Sequence, residues 1–276
     1  MKRIGLCFTG QPYSISQMVE AAQRAEELGY DSVWVAEDSW TGRDAITVLT
    51  ALAMNTRRLR LGTCLVGAGT RHPVLSALTF NSLRELAPGR LVLGIGLAHG
   101  WQPMHEGGEG WGGRSALGTM RDTVAAMRSL FTGGQARWGD GTRGVIVPRP
   151  WFEGALLPRP EAIPVYMGAV GPKMTWLAGE VADGLLLEME ALREFIPERL
   201  KLFRDAAAKA GRDPSELEAV KLVLTSVTGD GPLNQNAVGW AAKSVSLLDR
   251  VTVGRLGWDQ ERVARIRSAW SRGEWD

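Results

Sequence analysis

Between Pro164 and Gly184 the chain reads PVYMGAVGPKMTWLAGEVADG. An apolar run stops at Gly168, small residues follow, and Pro172 opens a segment with helical spacing. A turn of this make-up leaves the first N–H groups of a helix without intrahelical partners, at the end where the helix dipole places partial positive charge. Ala169 and Gly171 let a ligand approach the main chain, Pro172 is preset for the first helical position, and Lys173 adds a charge. Together they make a seat for an anion, most naturally a phosphate. The same residues also suit a plain strand–helix turn, and local chemistry does not choose between the two. Metal chemistry has little support: His72, His99 and His105 form no HxxxH pair, and the two cysteines are far apart in sequence, which argues against zinc.

The elements that would position such a turn follow from the rest of the chain. With 276 residues, 45% of them apolar, it can bury one barrel-sized α/β core or two small domains. A net charge of +2, with no basic run, argues against a nucleic-acid arm. Cys7 and Cys64 lie in apolar, strand-like contexts, as buried thiols in a reducing compartment would. No apolar run is long enough to span a bilayer, and MKRIGLCFTG reads as a first strand rather than a signal peptide. The expectation is a cytoplasmic chain that acts on a small molecule, with neither nucleic acid nor membrane as partner.

Strand-like and helix-like stretches alternate. RIGLCF (Arg3–Phe8) is the first strand, and a helix follows with Ser14 and Gln17 as its capping box and Gly29 as its stop. DSVWVAE is the second strand, Asp44 to Asn55 a short helix, RLRLGTCLVG the third strand, PVLSALTFNSLRELAPG a helix, and RLVLGIG the fourth strand. Short continuous apolar strands separated by helices mean a parallel sheet covered on both faces. The rhythm breaks at 98–118, a long loop rich in Gly, His and Trp. A helix from Thr119 and a turn-rich excursion over 135–162 come next. PVYMGAV, the helix Pro172–Ala182, GLLLEME, PERLKLFRDAAAKAG and EAVKLVLTSVT then restore the alternation. Seven strand candidates over this length favour a (β/α)8 barrel, read as a single domain over 1–276. The segment 229–276 is atypical, with helical patches at Ala237–Leu248 and Glu261–Trp270; RVTVGRL (Arg250–Leu256) is the best candidate for an eighth strand.

GPKMTWLAGEVADG resembles the phosphate-binding turn of the luciferase-like flavin and deazaflavin oxidoreductase superfamily, on the branch that contains methylenetetrahydromethanopterin reductase. AEELGYDSVWVAED, RLRLGTCLVGAGTRHPVLSA and LRELAPGRLVLGIG agree in order and spacing. Each is a weak pattern, but four in order are specific. The resemblance implies a (β/α)8 TIM-type barrel with coenzyme F420, or alternatively FMN, at its C-terminal mouth. The cofactor's phosphate would sit at Gly168, Ala169, Val170, Gly171, Pro172 and Lys173. It also implies a non-proline cis peptide near Cys64-Leu65, forming a bulge behind the ring, and places Gly94, Gly96 and Ala98 beside the cofactor.

The family usually carries an acid followed by His after the second strand, and here Glu37-Asp38 stands instead. An acid just after the fourth strand is replaced by His99. Glu37, Asp38 and His99 are therefore the candidates for proton handling, with His99 the group whose free pKa lies near neutrality. They equally suit plainer roles: the acids could cap the next helix or bind Arg43, and His99 could be a loop histidine. His72 would orient the loop before the third helix, and Arg71 could touch a phosphate or a substrate anion. Trp40 and Trp101 could cover a flat ring or simply pack the rim. His105 has no assignable role, and the rim near Glu188 and Glu190 should shape the substrate pocket. The chain is shorter than these relatives, so an atypical or missing eighth strand is expected, with the tail or a homodimer partner covering the edge. The leading function is an F420-dependent oxidoreductase that transfers hydride to or from a polarised C=C, C=N or C=O bond. The alternatives are an FMN-dependent monooxygenase and a non-catalytic barrel that serves as a binding or assembly partner.

Overall fold

A computed structural model describes residues 3–9, 13–37, 43–97, 115–132, 162–188, 192–227, 231, 235–248 and 250–274. They group into two compact units, Met1–Leu186 with Arg199–Val220, and Leu187–Glu198 with Lys221–Asp276.

The first unit is built on parallel strands: β1 (Gly5–Phe8), β2 (Ser32–Val35), β3 (Arg60–Thr63), β4 (Val66–Gly67), β5 (Leu91–Gly96), β6 (Val165–Gly168), β7 (Gly184–Leu187) and β8 (Glu218–Lys221). They run side by side in the order β1-β2-β3-β5-β6-β7-β8, with β4 also on β5. Sequence neighbours are spatial neighbours, as right-handed β-α-β units require. β2, β5, β6 and β7 are buried at every position, which explains their unbroken apolar runs. The helices lie between them: α1 (Ile15–Glu27), α2 (Ala45–Asn55), α3 (Pro73–Leu86), α4 (Ala116–Phe131), α5 (Pro172–Val181) and α6 (Ile196–Lys209). The expected capping box is present: Ser14 Oγ accepts from Gln17 N (3.2 Å), and Gln17 Oε1 accepts from Ser14 N (2.8 Å). Gly29 closes α1 in the left-handed region, at φ 82°. α4 starts three residues before Thr119, because Ser115 Oγ accepts from Gly118 N (3.0 Å) and caps it there.

β3 and β4 are one strand with a step in it. Leu61 and Gly62 pair with Leu91 and Val92, but Val66 and Gly67 pair with Ile95 and Gly96. Residues 63–65 thus oppose only 93–94, one residue too many, which is a bulge. The Cys64-Leu65 peptide within it is cis. Thr63 fills the gap in the ladder: its hydroxyl donates to Gly94 O (2.7 Å) and accepts from Gly94 N (2.9 Å).

At the N-terminal ends of the strands, aromatic rings and charges fill the interior. The Trp34 and Tyr166 rings lie 6.0 Å apart. Gly62 is required there, since a Cβ would come within 2.4 Å of the Trp34 ring. Arg60 donates to Tyr166 Oη (3.0 Å) and to Glu218 (3.0 Å), and Arg3 pairs with Glu218 (2.9 Å). Arg3 precedes β1 and Glu218 opens β8, so the two ends of the strand path are joined through side chains and the sheet curls into a barrel.

The second unit has α7 (Gln235–Ser246), α8 (Arg250–Arg255) and α9 (Gln260–Arg272), packed around Leu248, Val253 and Val263. The strand expected at Arg250–Leu256 is therefore a correction: the segment is helix α8. The alternation of Val251 and Val253 suggested a strand, yet only Val253 is buried, while Val251 is 74% exposed. Among the described residues no eighth barrel strand follows β8, which is itself short and ends at Lys221 rather than running on to Thr228. No described helix is long and apolar enough to cross a membrane.

Candidate active site

The C-terminal ends of β2, β3/β4, β5 and β6 bring most of the sequence-predicted residues to one end of the barrel. Cys64 is buried and donates its backbone N–H to Val35 O (2.8 Å), while Leu65 O accepts from Glu37 N (3.1 Å). Gly96, at the end of β5, lies against Leu65: a Cβ at Gly96 would come within 2.5 Å of Leu65 Cδ1. The bulge, Glu37 and Gly96 therefore form one continuous wall.

Glu37 is held on both carboxylate oxygens. Oε2 accepts from Gly67 N (3.3 Å) and Oε1 from Arg71 Nε (3.3 Å). Arg71 also pairs with Asp44, which caps α2 by accepting from Thr47 N (2.7 Å) and Thr47 Oγ1 (2.9 Å). Burial pushes the Asp44 carboxyl up, but the bonds from Thr47 and the Arg71 charge outweigh it and hold it below its usual range. Arg71, for which the sequence suggests a phosphate or substrate anion, is thus engaged by two carboxylates of its own chain. His72 caps α3, its Nδ1 accepting from Val74 N (3.3 Å). Asp38, Trp40, Ala98, His99, Trp101, His105 and Glu190 lie outside the described residues.

One strand over, β6 ends at Gly168 and delivers the Gly-Pro turn. Ala169 is buried, and its N–H donates to Leu186 O (3.2 Å). Val170 is 46% exposed. Gly171 is the N-cap of α5, in extended backbone, and no side chain caps the helix. A Cβ at Gly171 would meet nothing within 4 Å, so the space above the first turn is open. The geometry suits an anion: bare amides, a helix dipole, and Lys173 exposed beside them. A groove of about 350 Å³ runs on from the turn along α4 and α5, past Pro172, Lys173, Leu117, Arg121, Trp176 and Glu180. A flat wall and an anion seat one strand apart can hold a planar ring that carries a phosphate.

Two contributors escaped the sequence. The Thr63 hydroxyl, which stitches the bulge to Gly94, has no motif. The Arg71–Glu37 pair joins residues 34 apart; only the Asp44–Thr47 cap beside it has readable spacing.

The model of the luciferase-like monooxygenase family matches residues 2–275. The chain belongs to the luciferase-like monooxygenase family. Within reach of it is a 5,10-methylenetetrahydromethanopterin reductase of Methanolobus tindarius, 32% identical over 94% of this chain and 77% of the relative. An F420-dependent glucose-6-phosphate dehydrogenase of Nakamurella multipartita is 28% identical over 97% of this chain and 82% of that one. In fold, the chain is like the coenzyme F420-dependent tetrahydromethanopterin reductase of Methanopyrus kandleri, with TM-score 0.81, 21% identity, and 99% and 80% of the two chains covered. The family's fold is the TIM-type barrel.

Proposed function

We propose that this chain is an F420-dependent oxidoreductase that transfers hydride between the deazaflavin and a polarised C=C, C=N or C=O bond of a small molecule. The observation that carries this is the open, uncapped N-terminus of α5 at the end of β6, one strand from the wall formed by the bulge. The glucose-6-phosphate dehydrogenase relative, named for F420, supports the choice of cofactor over FMN, and the two curated relatives are a reductase and a dehydrogenase by name. Bound there, the cofactor supplies the hydride.

The chain's own residues do the rest. The amides after Gly171, with Lys173, seat the phosphate. The Cys64-Leu65 bulge and Gly96 form the wall behind the ring and fix the face it offers to substrate. Proton handling falls to His99 or Asp38, with Glu37 part of the supporting frame. The chain works as a cytoplasmic homodimer; Leu75, Leu78 and Leu86 leave one face of α3 apolar and exposed, as a partner surface would be.

The test is turnover. Chemically reduced F420 is mixed with the protein and a panel of enones, cyclic imines, ketones and aldehydes, and the return of the oxidised deazaflavin's visible absorbance is followed. Protein-dependent reoxidation with one class of acceptor supports the assignment. Failure with every class, and with every alcohol or amine tried in the reverse direction, would remove it.

A further inference from the structure

Glu37 is a conspicuous acid at a mouth where proton transfer is expected, yet both of its oxygens are already engaged. One accepts from Arg71, the other from the Gly67 amide, and the residue's own N–H is bound to Leu65 O. The three contacts fasten the end of β2 to the segment on the far side of the bulge. Arg71 closes the arrangement from the loop after β4. Its N–H donates to Gly67 O (3.3 Å), and its guanidinium reaches the cap of α2 through Asp44. Both members of the Arg71–Glu37 pair are largely shielded, with side chains 17% and 11% exposed, so solvent screens the pair little.

We infer that Arg71 is a positioning residue. Acting through Glu37 and Asp44, it clamps residues 65–67 so that the wall behind the cofactor ring keeps one position. Glu37 is then part of that clamp and not the proton donor. A wall that is fixed before binding spares the complex the ordering that a loose one would require. Arg is the residue type for the task, because one planar guanidinium offers separate donors to two carboxylates, and a Lys ammonium on a flexible stem does not reproduce the fork. The inference rests on the proposed function only in naming F420 as the ligand that meets the wall.

Five variants, R71M, R71K, E37Q, the double variant R71M/E37Q, and R128M, decide it. Backbone amide exchange is measured first, on the protein without cofactor. Arg71→Met and Glu37→Gln are each expected to speed exchange at Gly67 and Glu37 by at least about tenfold, with Arg71→Lys in between and the amides of β6 unaffected. F420 titration follows. Both variants should weaken binding about tenfold and shift the emission of the bound cofactor, and the double variant should be no weaker than either single one. Arg128→Met, which breaks a more exposed pair with Asp183 at the opposite end of the strands, lowers thermal stability but leaves F420 affinity unchanged. Unchanged exchange at Gly67 in R71M overturns the clamp. So do additive losses in the double variant, or a normal affinity in E37Q accompanied by loss of one limb of the pH–rate profile, which would make Glu37 the proton-transfer group. If the unaltered protein binds no F420, the proposed function fails, and the exchange data alone still decide whether Arg71 clamps the bulge.

Discussion

Replacing Gly171 with Asp should move stability and cofactor affinity in opposite directions. Gly171 caps α5 with no side chain, in extended backbone that any residue adopts (φ −92°, ψ 162°), and its Cβ would enter open space. An Asp there accepts from the first amides of the helix. Asp exceeds Gly as a cap by a few tenths of a kcal/mol, and a negative charge at a helix N-terminus adds about 0.3–1 kcal/mol. The variant should therefore gain about 0.5–1 kcal/mol, or about 1–3 °C in thermal midpoint for a chain of this size. The same carboxylate would occupy the seat assigned to the cofactor's phosphate. Two like charges about 4 Å apart repel by about 1 kcal/mol in water and about 4 kcal/mol near a protein surface. The turn is open, so an intermediate loss of about 1.5–3 kcal/mol is expected, at least tenfold in Kd. Scanning calorimetry gives the first quantity and F420 fluorescence titration the second. Gly171→Asn, an equal cap without the charge, isolates the electrostatic part, and that part should shrink at high salt. A raised midpoint with unchanged F420 affinity would refute the placement of the phosphate at α5.

Other expectations follow from particular contacts. Glu26 Oε1 accepts from the amides of Arg57 (3.0 Å), Arg58 (2.6 Å) and Leu59 (3.0 Å), so E26Q should cost about 1–3 kcal/mol in urea unfolding at neutral pH. Burial pushes this carboxyl up, but those amides and the Arg58 charge hold it below its ordinary value. Its contribution is thus present above about pH 4.3 and fades as pH falls through the lower folded value, where the two proteins should converge. Burial drives the Tyr166 hydroxyl well above the usual tyrosine range, and Glu218 adds to this while Arg60 opposes it. Its neutral form is the folded one, so stability should be intact below about pH 10 and fall by about 1.4 kcal/mol per pH unit above it, a slope that Y166F removes. In G96A the new Cβ would crowd Leu65 Cδ1 by about 1 Å relative to ordinary contact, destabilising by about 1–3 kcal/mol. L65A should relieve this, giving a coupling of at least about 0.5 kcal/mol in a thermal double-mutant cycle.

Much of the barrel was legible because its signals are local. The Ser14–Gln17 capping box, the Gly29 stop and the continuous apolar runs of β2, β5, β6 and β7 each declare an element within a few residues. Pro172 after Gly171 announced the start of α5 in the same way. Non-local features were harder to read. The period-two valines of α8 imitate a strand until it is known that only Val253 meets Leu248 and Val263. Nothing in β8 announces that it stops at Lys221. At the site, the Glu37–Arg71 pair and the Thr63–Gly94 stitch join residues more than thirty apart in sequence, which only the folded sheet brings together. Arg71 read as a free cation for an anionic ligand, because its partners lay in two other segments.

The central claim is that the Gly-Pro turn seats a deazaflavin. It is tested most directly by titrating the purified protein with F420 and, separately, with FMN, following the fluorescence of each cofactor. Saturable F420 binding at micromolar concentration or below, with FMN at least tenfold weaker, is the expected result. Binding of FMN alone would contradict the claim and make the chain a flavin enzyme. Binding of neither would leave the open N-terminus of α5 as a turn and nothing more.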